Sequence, residues 1–265
     1  MKSVASRFSA AAATYDAEAS VQRGVARRLM ALLDGTPSAA VPERILEVGC
    51  GTGFLTRLLA ARYPSSMIVA TDIACRMVQR AARSVVGMDQ IRWLAADART
   101  VSLRTGFDLV ASSSSLHWVT PLGAAFANLR PLLGAGGRLA CALMVDGTLA
   151  ELHAARCRVA PAKSSQGTLL GSDAVRRCVE EQGFRIVEMV DETIRARYDS
   201  AHGLLYSLHA LGLTAGAVFS GSGHLNRLEL RKLEEDYDRH YSADNGVYAS
   251  YRILYLMATV GAEVR

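Results

Sequence analysis

The chain has 265 residues, of which 50% are hydrophobic and 21% charged, with a mean hydropathy of +0.15. That composition describes an ordered globule with enough apolar material for a sizeable core, and it excludes disorder and collagen. Lys and Arg number 30 against 25 Asp and Glu, a net charge of +5 carried almost wholly by arginine; this suits an acidic partner but is too dispersed for a nucleic-acid site, and no nucleic acid is expected.

Five cysteines without a C-x-x-C pair argue against both a disulfide framework and a thiolate zinc site. The histidines lack a ligand pair at helical spacing, so no metal is expected. No apolar leader precedes Tyr15 and Asp16, and no apolar run approaches the roughly 18 residues of a membrane span. A cytoplasmic monomer that meets no membrane is the expectation.

Residues 17–33 carry Ala19, Val25, Ala26, Leu29, Leu32 and Leu33 at near-helical spacing and predict an amphipathic helix, ended by the breakers Asp34, Gly35, Thr36, Pro37 and Ser38. From Ile45 a short apolar strand to Val48 leads through glycines into a helix over 54–62. A strand at 67–71, a helix at 75–86 and strands at 91–95 and 107–111 follow. A helix over 122–132 and a glycine-rich turn lead into a strand at 138–144. Five parallel strands with intervening helices make an α/β, doubly wound sheet, seven-stranded and mostly parallel once the later strands are added.

Beyond Asp146 the pattern predicts helices at 149–158 and 172–182, a sixth strand at 184–190 and a last one at 250–257. Within one domain, residues 1–38 read as an N-terminal helical cap, 39–195 as the core and 246–265 as the last strand. Residues 196–245 read as a helical excursion over the sheet's carboxyl edge, with glycines such as Gly216 and Gly221 punctuating it.

The run Ile45-Leu46-Glu47-Val48-Gly49-Cys50-Gly51-Thr52-Gly53 is the strongest local signal. Glycines at spacing two let the backbone approach a ligand as a helix begins. A pyrophosphate site prefers G-x-G-x-x-G without a carboxylate at its entrance, whereas Glu47 suits a cationic cofactor with an amino-acid moiety, such as a sulfonium. Asp72, 19 residues past Gly53 at the end of the second strand, is placed to accept from two ribose hydroxyls. Asp97 ends the next strand and is either an acceptor for the adenine amine or a helix cap. Three acidic strand ends favour S-adenosylmethionine over a nicotinamide dinucleotide.

These motifs, with Ala11-Ala12-Ala13-Thr14-Tyr15-Asp16, Gln22, Leu116-His117-Trp118-Val119 and Gly147-Thr148-Leu149-Ala150-Glu151-Leu152, resemble the class I S-adenosylmethionine-dependent methyltransferases. Among them the chain is similar to the malonyl-acyl-carrier-protein O-methyltransferases of biotin synthesis. The resemblance implies methyl transfer to the free carboxylate of a malonyl thioester on acyl carrier protein, with malonyl-coenzyme A as the other possible carrier form. It implies that Glu47, Gly49 and Gly51 line the methionine end, Asp72 the ribose and Asp97 with Ala98 the adenine, with Cys50, Gly53, Ile73 and Met77 as further cofactor-binding residues. Ser113 joins this cofactor set, and Tyr15 and Gln22 close over it. The segment Leu213 to Gly223 matches the family weakly. The alternative is a methyltransferase for another small acceptor, such as a quinone precursor or a small carboxylic acid.

A carboxylate is already ionised at neutral pH, so its methylation needs placement and dryness rather than a strong base. Tyr15, His117, Trp118 and Tyr206 are the candidates for the acceptor side. His117 is either a substrate contact or a structural hydrogen bond, and Trp118 either packing or a pocket wall. Arg23, Arg27 and Arg28, or Arg195 and Arg197, are candidate docking charges for an acidic carrier protein.

Overall fold

The computed structural model describes residues 4–35, 40–164, 167–213 and 223–261. The helix break expected at Thr36, Pro37 and Ser38 and the glycine-rich run 214–222, with Gly216 and Gly221, lie outside the described residues.

The amino-terminal part forms α1 (Val4–Ala11), α2 (Tyr15–Glu18) and α3 (Ser20–Gly35). A single helix was expected over 17–33; instead the backbone turns at Ala19, which leaves the helical region between α2 and α3. The core alternates β1 (Arg44–Val48), α4 (Phe54–Arg62), β2 (Met67–Asp72), α5 (Cys75–Ser84), β3 (Ile91–Ala95) and β4 (Phe107–Ser113), then α6 (Leu122–Leu129) and β5 (Leu133–Met144). Next come α7 (Ala150–Val159), α8 (Ser172–Glu180), β6 (Phe184–Tyr198), α9 (Ala201–Ala210), α10 (Arg227–His240), β7 (Ser242–Ala243) and β8 (Gly246–Val260).

The strands lie in the order β3-β2-β1-β4-β5-β8-β6, with β7 paired to β8. The first five are mutually parallel, while β8 runs antiparallel to both neighbours. Alternation along the strands sends side chains to two cores. Ile45, Ile68, Leu109, Ile253 and Tyr255 join the core beneath α3, α4, α7 and α9, and Leu46, Val110, Leu254 and Leu256 join the one beneath α6 and α8.

Three strands run well past the lengths expected, among them β8, which spans Gly246–Val260 against an expected 250–257. β5 begins at Leu133 because its glycines accommodate a register shift opposite Phe107 and Leu109. β6 runs on to Tyr198 because it is an edge strand: apart from the irregularity at Glu188–Val190, half-buried and exposed residues alternate along it, so charged residues are tolerated on its exposed face and the apolar run that marks a central strand is missing. No helix among the described residues is long and apolar enough to cross a membrane.

Leu254 is fully buried between β5 and β6. Leu254→Ala should cost about 2–5 kcal/mol, read as a lower urea midpoint at unchanged slope.

Candidate active site

The strand order reverses between β1 and β4, and ligands of open α/β sheets bind outside the carboxyl ends at such a reversal. A cavity of about 350 Å³ opens there, within the range of small-molecule and cofactor sites. Its floor is the loop after β1. Gly49 N–H and Cys50 N–H both donate to Thr71 O, at 2.7 and 2.8 Å, and Gly51 N–H donates to Asp72 Oδ2 at 2.9 Å. Gly49 sits at φ +73°, and a Cβ there would fall 1.7 Å from Ser115 Oγ, so only glycine is accommodated. Gly51, at φ +55°, lines the cavity and faces open space: a Cβ built on it meets nothing within 4 Å.

Three carboxylates stand around this floor in different electrostatic states. Glu47 is buried, and its Oε2 has no hydrogen-bond partner among the described residues. Burial pushes its pKa up to about 7, with the nearby Thr56 opposing the rise. Asp72 is also raised by burial, opposed by the N–H groups of Ala74 and Gly51. Asp97 is lowered because Arg99 binds it, the guanidinium lying 2.6 Å from Oδ2.

The roof comes from the N-terminal helices. Val4 and Phe8 of α1, Tyr15 of α2 and Gln22 and Ala26 of α3 all line the cavity. The aromatic rings contact one another: Phe8 meets Trp118 edge-on at 5.5 Å and Tyr15 edge-on at 6.4 Å, and Tyr15 stacks on Phe54 at 6.3 Å. Burial and the nearby Asp72 and Asp16 raise the Tyr15 pKa, so its hydroxyl keeps its proton and remains a donor. Gln22 Oε1 is a buried acceptor without a partner.

Of the residues anticipated, Tyr15, Gln22, Glu47, Gly49, Cys50, Gly51, Asp72, Ile73, Met77, Asp97, Ala98, Ser113 and Trp118 all line this one cavity. Trp118 is both wall and packing.

Three are corrected. Gly53 does not line the cavity; at φ +91° it turns the chain into α4, where a Cβ would press on Val85 at 3.3 Å. His117 is buried behind the wall. Its Nδ1 accepts from Met144 N–H at 3.3 Å, and burial lowers its pKa to about 3, so it is a neutral pin between the 116–118 turn and β5. Tyr206 is 59% exposed and lies outside the cavity.

The described part of the excursion lies apart from the cavity. None of the described residues 196–245 lines the cavity; α9 packs on α2, β6 and β8, and Ala210 O accepts from Thr14 Oγ1 at 3.0 Å. It buttresses the roof instead of forming it.

Phe8, Phe54, Arg99 and Ser114 line the cavity and were not anticipated. Val4, Ala5 and Phe8 at i, i+1 and i+4 are the signal of a short amphipathic helix in an otherwise small-residue segment. Nothing local marks Phe54 or Arg99.

The sequence profile of the methyltransferase domain family matches residues 45–137, the stretch from β1 into β5. A malonyl-[acyl-carrier protein] O-methyltransferase from Geobacter sulfurreducens is 36% identical over 261 residues, covering 96% of this chain and 97% of the relative. The chain belongs to the malonyl-acyl-carrier-protein O-methyltransferase family. A further member, from Methylococcus capsulatus, is 32% identical over 254 residues, 93% of this chain and 89% of its own. Among solved structures, the YcgJ protein of Bacillus subtilis superposes with a TM-score of 0.60 at 13% identity, covering 89% of this chain and 99% of its own. The N-methyltransferase NodS of Bradyrhizobium japonicum, solved with S-adenosylhomocysteine, gives 0.51 at 19% identity, covering 88% and 86%. These two likenesses establish the fold that the family shares.

Glu47 has a sign-definite effect on stability. Its folded pKa of about 7 lies above the ordinary value of 4.5, so the folded state binds the extra proton. That contribution, about 3 kcal/mol, is present below pH 4.5 and is lost as pH rises through 7. Melts of the ligand-free protein from pH 5 to 8 should show the wild type losing stability relative to Glu47→Gln; parallel curves would contradict the assignment.

Proposed function

We propose that the protein transfers a methyl group from S-adenosylmethionine to the free carboxylate of a malonyl group held as a thioester on acyl carrier protein. The products are the malonyl methyl ester and S-adenosylhomocysteine, and the place of the reaction is early in biotin synthesis. The observation that carries this reading is the lining of the cavity. Acidic acceptors with unused capacity sit on its floor, and an aromatic roof closes above them.

The residues fit an adenosyl sulfonium. Glu47 Oε2 and Gln22 Oε1 are buried acceptors without partners, which an ammonium group would satisfy. Asp72 spends one lone pair of each oxygen on Gly51 and Ala74, leaving one on each for the ribose hydroxyls. The open space beside Gly51 admits a ligand against the backbone. Asp97 and Ala98 border the part assigned to adenine, where Arg99 keeps Asp97 ionised. When bound, S-adenosylmethionine supplies an electrophilic methyl group on a sulfonium.

What remains for the protein is placement. The malonyl carboxylate is the nucleophile and titrates far below neutrality, so no side chain must remove a proton. Tyr15 and Trp118, with Phe8 and Phe54, form a wall that excludes water and presents ring faces to positive charge. The protonated Tyr15 hydroxyl can orient a carboxylate oxygen without the full neutralisation that an arginine would impose on the ground state. The same chemistry gives Tyr15 a role in turnover and Asp72 a role in cofactor affinity.

Incubation with labelled S-adenosylmethionine and malonyl-carrier protein should add one methylene in mass, removed by mild alkali. Binding of S-adenosylhomocysteine without any such ester would defeat the malonyl assignment. Asp72→Asn should weaken S-adenosylhomocysteine binding roughly 10- to 100-fold by calorimetry, the range for a lost hydrogen bond to a charged group. Tyr15→Phe should lower kcat roughly tenfold or more while that affinity holds.

A further inference from the structure

A second concavity, of about 500 Å³, lies between α1 and α5 and has no part in the cavity just described. One wall carries Arg76, Arg80 and Arg83, whose i, i+4, i+7 spacing puts three guanidinium groups on one face of α5. The other wall is the outer side of α1 and the turn after it, where Ser9, Ala12 and Ala13 are too small to obstruct an approaching surface. Among the described residues no carboxylate lines the groove. Arg80 is held by Asp16 at 2.9 Å, which ties α5 to the N-terminal segment. Arg76 and Arg83 are exposed, and among the described residues neither enters an ion pair.

Several arginines elsewhere are engaged within the chain. Arg28 pairs with Glu192 at 2.5 Å, Arg158 with Asp236 at 2.6 Å and Arg197 with Asp244 at 2.6 Å. Arg195 lies over the Tyr248 ring and Arg23 donates to Asp16 O. Of the docking charges expected on the third helix and before the excursion, Arg23, Arg28, Arg195 and Arg197 are thus engaged within the chain, whereas Arg27 is exposed and enters no ion pair among the described residues. The groove also adjoins the cavity. Val4, Ala5 and Phe8 face the cavity from α1 while Ser9 and Ala12 face the groove, so the two are separated by one helix, about 10 Å across.

We infer that the groove between α1 and α5 is the docking surface for the acidic face of the carrier protein, gripped by Arg76 and Arg83. The inference rests on the carrier-thioester reading given above. Arginine forks match the carboxylates of an acidic helix, the small residues of α1 allow close approach, and unpaired rim charge raises the rate of productive encounter. A partner seated here has its thioester arm beside the roof of the cavity.

The test compares wild type with the double variant Arg76→Glu, Arg83→Glu, using malonyl-carrier protein and malonyl-coenzyme A as acceptors and S-adenosylhomocysteine as a binding probe. The expected result is a KM for malonyl-carrier protein raised roughly tenfold or more, with malonyl-coenzyme A kinetics and S-adenosylhomocysteine affinity unchanged. The Arg76→Lys, Arg83→Lys pair should keep most of the carrier affinity, and added salt should weaken carrier use by the wild type more than by the reversed variant. An unchanged KM for the carrier overturns the inference, and so does an equal loss with both acceptors, which would mean that the groove acts through the cavity. Oligonucleotide binding abolished by the reversal, with carrier kinetics intact, would reassign the groove to nucleic acid. A wild type that binds S-adenosylhomocysteine yet methylates neither thioester brings down the functional reading itself, a result distinct from any difference between variants.

Discussion

The Asp72 carboxylate accepts from Gly51 N–H at 2.9 Å and from Ala74 N–H at 2.7 Å, joining the loop after β1 to the loop after β2. Hydrogen bonds to a charged group are worth about 1.5–3 kcal/mol each, and here they offset the cost of burying that charge. Thr71 completes the clasp: its carbonyl accepts from Gly49 and Cys50, and its hydroxyl donates to Glu47 O. The left-handed turns of the glycine loop are thereby held between the ends of β1 and β2, on the floor of the cavity.

The remaining walls are assembled around this fixed floor by parts of the chain that share no strand with it. The N-terminal helices form the roof. Arg80–Asp16 anchors them to α5 and Thr14–Ala210 anchors them to α9. Phe8, Tyr15, Phe54 and Trp118 then meet above the floor though they come from four separate segments. Through this buttress the described residues between β6 and β8 support the roof without lining the cavity.

Charge is sorted across α5. Met77 faces the cavity, whose acidic lining comprises Glu47, Asp72 and Asp97, whereas Arg76, Arg80 and Arg83 face the groove. Acceptors for a cationic donor thus lie on one side of the roof and cations for an anionic partner on the other. The two signs stay apart because the helix presents its period of 3.6 residues to two different surroundings.

The β1 loop, the acidic strand ends and the five parallel strands were legible in the sequence because each rests on local chemistry: apolar strands, glycines at spacing two, and a carboxylate where a strand stops. Cys50, Ile73, Met77 and Ser113 follow from their adjacency to those motifs. Phe8 and Arg99 were not legible, since their roles arise from contacts between segments distant in the chain. His117 and Tyr206 show the same boundary from the other side. Both are chemically suited to a site, yet β5 captures the one through Met144 and α9 turns the other to solvent. The sequence alone determined the sheet, the family and the acidic floor; only the tertiary structure decided which rings form the roof and which arginines remain unpaired, because packing between remote elements leaves no periodic trace in either of them.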